Sequence, residues 1–306
     1  MTDSILIVGT GALATLFAYR FSAAGFNVTV LGTWQAGLLA LGKEGARLDG
    51  RAGRPVRAIT DPGGFEGVKY ALVLVKSWQT ERAAHQLAKC LAQDGLATTL
   101  QNGLGNDEVL IKRLGKSRVG RGITTIGATL IGPGHVHLGG EGMVVLEKGP
   151  QTSRLEELLR QAHFQVEAVE NIEAQVWGKL ILNAAINPLT ALLRIKNGRL
   201  LEIPSAKTMM KEIAREAVLV AQAEGIALPF SNAGEALEEV ARRSGDNVSS
   251  MLQDVLRGAP TEVDSINGKI VQAGEKHHLP TPLNRLMTLM VKALSERGKI
   301  NALDIG

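Results

Sequence analysis

Residues 5–14 read Ile-Leu-Ile-Val-Gly-Thr-Gly-Ala-Leu-Ala, a short apolar run that stops at a glycine turn and opens into helical spacing. Strand, glycine turn and helix in that order form the first unit of a nucleotide-binding α/β domain. Gly9 permits the tight turn, and Gly11 lets a ligand phosphate approach the backbone. Ala14 is small enough for the helix to pack closely on the strands. Thr10, Ala12 and Leu13 complete the loop, and the helix N-terminus offers free amide donors to a pyrophosphate.

The rest of the first half repeats this alternation. Residues 13–24 have helical spacing with Gly25 as a C-cap, and 28–31 (Val-Thr-Val-Leu) read as the next strand. Residues 70–75 (Tyr-Ala-Leu-Val-Leu-Val) are apolar on both faces, followed by a helix over 81–92 and a strand over 95–100. Strands that are apolar throughout and alternate with helices predict a parallel sheet covered on both sides. Residues 118–146, rich in glycine, threonine, valine and histidine, predict an antiparallel or mixed extension of that sheet. A helix over 152–162 and a strand over 164–167 close the pattern. From about Glu170 onward helical spacing dominates, broken at Pro204, Gly225, Pro229 and Pro280-Thr281-Pro282. The expected fold is α/β: an N-terminal Rossmann-type dinucleotide-binding domain over residues 1–169, followed by an all-helical domain over 170–306.

Composition narrows the function. The 306 residues are 45% hydrophobic and 21% charged, with 34 Lys+Arg against 30 Asp+Glu for a net charge of +4. This small, dispersed excess and the 4% aromatic content disfavour a nucleic-acid surface and fit a pocket for small anions. The single cysteine, Cys90, lies in a helical pattern and reads as a buried structural thiol. No signal peptide is evident, and no uncharged apolar stretch reaches the roughly 18–20 residues of a membrane span. The expected location is cytoplasmic, without a membrane partner.

Cofactor choice is read at the end of the second strand, where an acidic residue would hold the ribose 2′-hydroxyl of NAD. The stretch Leu31-Gly32-Thr33-Trp34-Gln35 has no acid, which favours NADP, and no arginine either. Lys76, after the strand over 70–75, can reach a 2′-phosphate or simply be a solvated lysine. Asn102 lies in Gln101-Asn-Gly-Leu-Gly105, either a plain turn or a loop beside the cofactor crevice at the carboxyl end of the sheet.

The most unusual pattern of the second half is Lys179-Leu-Ile-Leu-Asn183-Ala-Ala-Ile-Asn187-Pro188. On a helix Lys179, Asn183 and Asn187 form one polar stripe inside an apolar run. Burying a cation and two amides is costly unless polar groups, from protein or substrate, face them. Downstream, Ser249-Ser250-Met-Leu-Gln-Asp254 and Thr261-Glu262-Val-Asp264-Ser-Ile-Asn267-Gly268 carry further polar candidates, although Glu262 also suits a helix start. His135 and His137 show no further ligand, so no metal site is expected.

Together these motifs, with Asn197-Gly198, closely resemble those of the ketopantoate reductase (2-dehydropantoate 2-reductase) family over nearly the whole chain. The resemblance implies NADPH-dependent reduction of 2-dehydropantoate, a small-molecule keto acid, to (R)-pantoate on the route to pantothenate and coenzyme A. By position, Lys179 matches the family's proton donor, and Asn183, Asn187, Asn197 and Ser250 match its substrate-binding residues. Asn102 matches a residue touching both cofactor and substrate. Ala128 and Glu262 match positions at the cofactor and active site, with Glu262 either orienting Lys179 or binding the substrate hydroxyl. Lys76 matches a lysine holding the 2′-phosphate. A lysine of ordinary pKa is already protonated at neutral pH and so ready to donate. The site is expected in the cleft between the domains. Other readings are a reductase of another 2-keto acid, an opine-type dehydrogenase, or a non-catalytic dinucleotide sensor. Helical second domains of this kind often dimerise, so a homodimer is open, with no patch indicated.

Overall fold

A computed structural model describes residues 4–297. Its contacts divide the chain into two units: residues 1–101 with 105–172, and residues 102–104 with 173–306. The boundary expected from the sequence lies after 169, with Asn102 in the first part. Asn102–Leu104 instead pack with the second unit.

Among the described residues the first unit is built on eleven strands: β1 (Ser4–Val8), β2 (Asn27–Leu31), β3 (Arg47–Leu48), β4 (Arg57–Ile59), β5 (Val68–Val73), β6 (Leu91–Thr99), β7 (Val119–Thr124), β8 (Gly127–Gly132), β9 (His135–Gly140), β10 (Met143–Glu147) and β11 (Gln165–Val169). Eight of them form one sheet in the order β11-β10-β7-β6-β5-β1-β2-β4, and all its pairings are parallel except β10 with β7. Its helices are α1 (Ala12–Ala23), α2 (Gln35–Glu44), α3 (Thr80–Cys90), α4 (Asn106–Leu114) and α5 (Pro150–Gln161).

Alternation along β1 shows why the strands are apolar on both faces. Ile5 and Ile7 join a core with Phe17 and Phe21 of α1 and Leu155 and Leu158 of α5. Leu6 and Val8 join the opposite core with Ala83 and Leu87 of α3 and Leu110 and Leu114 of α4. Cys90 is buried among the latter, as a structural thiol would be.

Residues 118–146 do not simply extend the main sheet. Only β7 and β10 enter it; β8 and β9 form an antiparallel hairpin that joins β3 in a separate three-stranded sheet. This sheet packs on α1, which explains why that helix buries residues around most of its circumference. The histidines of β9 serve this layer: His135 Nε2 accepts from the Gly50 amide, and His137 pairs with Asp49.

The second unit contains α6 (Ile172–Leu193), α7 (Pro204–Ala223), α8 (Ala233–Arg243), α9 (Ser250–Leu256), α10 (Lys269–Lys276) and α11 (Pro282–Arg297). Its core gathers Leu180, Ile181, Ala184 and Ala185 of α6 with Met210, Ile213 and Ala217 of α7 and Met287 and Val291 of α11. By length and mean hydropathy α6 could cross a membrane. It carries Glu173 and Lys179, however, and most of its apolar window is buried within the protein.

Candidate active site

The glycine loop has the geometry of a phosphate cradle. Gly9 has φ +134°, and a Cβ there would lie 2.9 Å from the Leu74 carbonyl oxygen, so only glycine fits. A Cβ at Gly11 would meet nothing within 4 Å, leaving open space over the loop. α1 begins after Gly11 with no side-chain cap and no acidic residue in its first turn. Its first amide donors therefore remain available to an anion, and Ala14 is fully buried against the strands. These features fit a dinucleotide pyrophosphate.

The end of β2 has a neighbour distant in the chain. Gly32 is held close by Thr10, whose methyl would lie 2.6 Å from a Cβ at that position. Beyond it, the exposed Thr33 hydroxyl accepts a hydrogen bond from Arg82 Nη1 of α3 at 3.3 Å. A guanidinium from 49 residues away thus stands beside the second-strand segment. No local spacing signals this, because Arg82 lies on an exposed helical face like any solvated arginine. Lys76 is half-buried in the loop after β5. Its backbone is steadied by Gln101, whose side-chain amide donates to the Val75 carbonyl at 2.9 Å and the Thr80 hydroxyl at 2.8 Å. Ala128 lies half-buried on β8 in the small sheet, opposite Leu138.

The second unit gathers the other candidates. α6 carries Lys179, Asn183 and Asn187 at four-residue spacing, the first two half-buried and Asn187 buried. Glu262 is buried just before a π-helical turn over Asp264–Gly268. The loop bearing Asn102 docks on that turn: the Leu104 amide donates to the Ser265 carbonyl at 3.0 Å. Gly103, at φ +85°, approaches the same carbonyl so closely that a Cβ would lie 2.3 Å from it. Asn102 Nδ2 consequently comes to 3.5 Å from Glu262 Oε2, a long contact.

The environment retunes Lys179. Burial pulls its ammonium from the ordinary lysine range down to about 8, while the Glu262 carboxylate pulls it back up. The expectation of an ordinary lysine is therefore corrected. A proton donor with a pKa near the working pH transfers its proton more readily than one held at 10.5.

Ser249 and Ser250 divide their labour. Ser249 caps α9, accepting from the Leu252 amide at 3.1 Å, and its hydroxyl is 2.7 Å from that of Thr190 on α6. Ser250, in the first turn, is half-buried and not needed for the cap. Asn197 is buried at the start of a 3-10 turn; its amide nitrogen donates to Ser244 at 3.0 Å. Its side-chain oxygen is buried without a hydrogen-bond partner among the described residues. Such an acceptor is costly to bury and suits a ligand hydroxyl.

The family models decide the wider assignment. Residues 5–151 match the model described as ketopantoate reductase PanE/ApbA, and residues 171–295 match its C-terminal domain. The chain belongs to the ketopantoate reductase family. Among the curated relatives of that family, the 2-dehydropantoate 2-reductase of Archaeoglobus fulgidus is 36% identical, with 95% of this chain and 97% of the relative covered. That of Pyrococcus horikoshii is 33% identical over 96% of this chain and 98% of its own. The crystal structure of a PanE/ApbA family ketopantoate reductase from Ralstonia eutropha JMP134 superposes with a TM-score of 0.89, at 30% identity, covering 97% of this chain and 99% of that one. The fold is shared with D-mandelate dehydrogenase in its complex with NADH and anilino(oxo)acetate, at a TM-score of 0.91 and 24% identity, over 97% of this chain and all of the other.

Proposed function

We propose that this chain is a 2-dehydropantoate 2-reductase that uses NADPH and that Lys179 donates the proton to the substrate ketone. The observation carrying this reading is a lysine set on an apolar helix, drawn down to about 8 and electrostatically coupled to the buried Glu262. Relatives that bear this name match from end to end.

The reduced nicotinamide, when bound, supplies the hydride. As charge develops on the ketone oxygen, the Lys179 ammonium stabilises it and passes over its proton. Glu262 keeps that proton on Lys179 at neutral pH by raising its affinity, and its carboxylate can also accept from the substrate hydroxyl. Asn183, Asn187 and Asn197 both donate and accept, which suits a ligand carrying carboxylate, ketone and hydroxyl groups together. The Ser250 hydroxyl, not needed for the helix cap, adds to this set. Asn102, close to Glu262, would touch cofactor and substrate.

The amides of Gly9–Ala14 would hold the pyrophosphate, with Ala128 beside the cofactor. Lys76 and Arg82 would give the 2′-phosphate two cations, and this carries the preference for NADPH over NADH. The test is steady-state reduction of 2-dehydropantoate with each cofactor, beside a panel of other 2-keto acids. 2-Dehydropantoate with NADPH should give the highest kcat/KM. Lys179→Ala should fold, bind NADPH and lose about 10²- to 10⁴-fold in turnover. Near-normal turnover in that variant would remove the lysine from the proton-donor role.

A further inference from the structure

Pro188 lies inside α6 and has no N–H to give to the carbonyl one helical turn back. That carbonyl belongs to Ala184, between Asn183 and Asn187 of the polar stripe. A buried carbonyl stripped of its helical donor is costly unless another donor reaches it. One does: Asn267 Nδ2 donates to Ala184 O at 3.0 Å.

Asn267 is fully buried and comes from the π-helical turn over Asp264–Gly268, five residues after Glu262. In that turn the Gly268 amide reaches back to the Val263 carbonyl at 3.0 Å, and the Glu262 carbonyl accepts from Ile266 N at 3.1 Å and Ser265 Oγ at 3.0 Å. The wide turn thus ties Glu262 and Asn267 into one local unit, of a kind often found at functional sites.

The Asn267 amide is also gripped from behind. It donates to Asn284 Oδ1 at 3.1 Å, and Asn284 Nδ2 in turn donates to the Ile213 carbonyl at 3.1 Å and to Glu216 Oε2 at 2.9 Å. Glu216, buried on α7, further accepts from the backbone amides of Leu283 and Asn284, each at 2.9 Å, at the start of α11. Both amide nitrogens of this buried network donate twice, which fixes the orientation of the two side chains, while the Asn267 oxygen is buried without a hydrogen-bond partner among the described residues.

We propose that Asn267 is a positioning residue: by giving Ala184 the donor that Pro188 withholds, it locks the segment bearing Glu262 onto the helix bearing Lys179. It acts through those two side chains rather than on the substrate, and the proposal rests on their assignment as the reacting pair. Pro188 is then more than a tolerated imperfection in α6. It creates the acceptor at which the two halves of the pair are registered.

The test compares Asn267→Ala, Pro188→Ala and the double variant, each checked for folding by circular dichroism and for NADPH binding by fluorescence titration. Asn267→Ala should bind NADPH normally and lose about 10²-fold in kcat, the size of effect expected from a small displacement of reacting groups. The alkaline limb of its pH profile should move to lower pH, because displacing Glu262 weakens the upward pull of its carboxylate on Lys179. A purely structural side chain would leave that limb in place.

In Pro188→Ala, residue 188 regains an N–H for Ala184 O, so adding Asn267→Ala should cost less than about tenfold more. Equal losses in the two backgrounds would overturn the proposal, as would a folded Asn267→Ala with normal kcat and an unmoved limb. Should Asn267→Ala fail to fold, the double variant decides: folding supports the proposal, and failure to fold overturns it. Lys179→Ala is measured alongside. Full turnover there would defeat the proton-donor reading, whereas the Asn267–Pro188 coupling read by thermal unfolding reports on the hydrogen bond alone.

Discussion

The pH dependence of reduction gives the sharpest check on the role of Lys179. An unperturbed lysine, with a pKa near 10.4, would remain protonated up to about pH 9.5, and turnover would be flat across that range. Burial brings Lys179 down to about 8. At that value its protonated fraction falls from roughly nine-tenths at pH 7 to roughly one-tenth at pH 9, so kcat for ketone reduction should drop nearly tenfold. Replacing Glu262 by glutamine keeps a hydrogen-bonding side chain of the same size but removes the carboxylate that raises the lysine. The limb should then lie below 8, with the loss of turnover at pH 7.5 partly recovered at pH 6.5. The assay is NADPH oxidation followed at 340 nm at saturating substrate over about pH 6–10, with a solvent isotope effect to confirm that proton transfer is being read. A wild-type profile flat beyond pH 9.5, or a limb that Glu262→Gln leaves in place, would refute the argument.

Arg82→Ala should raise the Kd for NADPH about 10-fold or more, as expected for loss of a charge-assisted phosphate contact, and leave NADH unchanged; equal effects on both cofactors in a binding titration would exclude the 2′-phosphate role. Gly9→Ala combines a positive φ with a clash against the Leu74 carbonyl, so it should cost at least about 1–3 kcal/mol in denaturant unfolding and weaken binding of either dinucleotide. Ser249→Ala removes the cap of α9 and should cost about 1 kcal/mol of stability, measurable by urea titration. A similar loss from Ser250→Ala, without a rise in KM for the keto acid, would reverse the roles assigned to these neighbouring serines.

What the sequence settles by itself is local and periodic. The run Ile5–Val8 and the glycines that follow point to strand, turn and helix, because a short run apolar on both faces that ends in glycines suits a covered strand leading into a tight turn. Four-residue spacing likewise places Lys179, Asn183 and Asn187 on one face of a helix wherever that helix packs. The apolar neighbours of Lys179 already announce a cation in costly surroundings, although its pKa of about 8 depends on how tightly those surroundings close. What only the tertiary structure decides are meetings between residues far apart in the chain. Arg82 reaches Thr33, the Asn102 loop settles on Ser265, and β8 and β9 leave the main sheet to cover α1. None of these has a spacing signature, since each depends on which faces are left to be buried after the local elements have formed. Pro188 joins the two levels. The sequence alone removes the donor from the Ala184 carbonyl, and only the packing of the helical unit brings Asn267 to replace it.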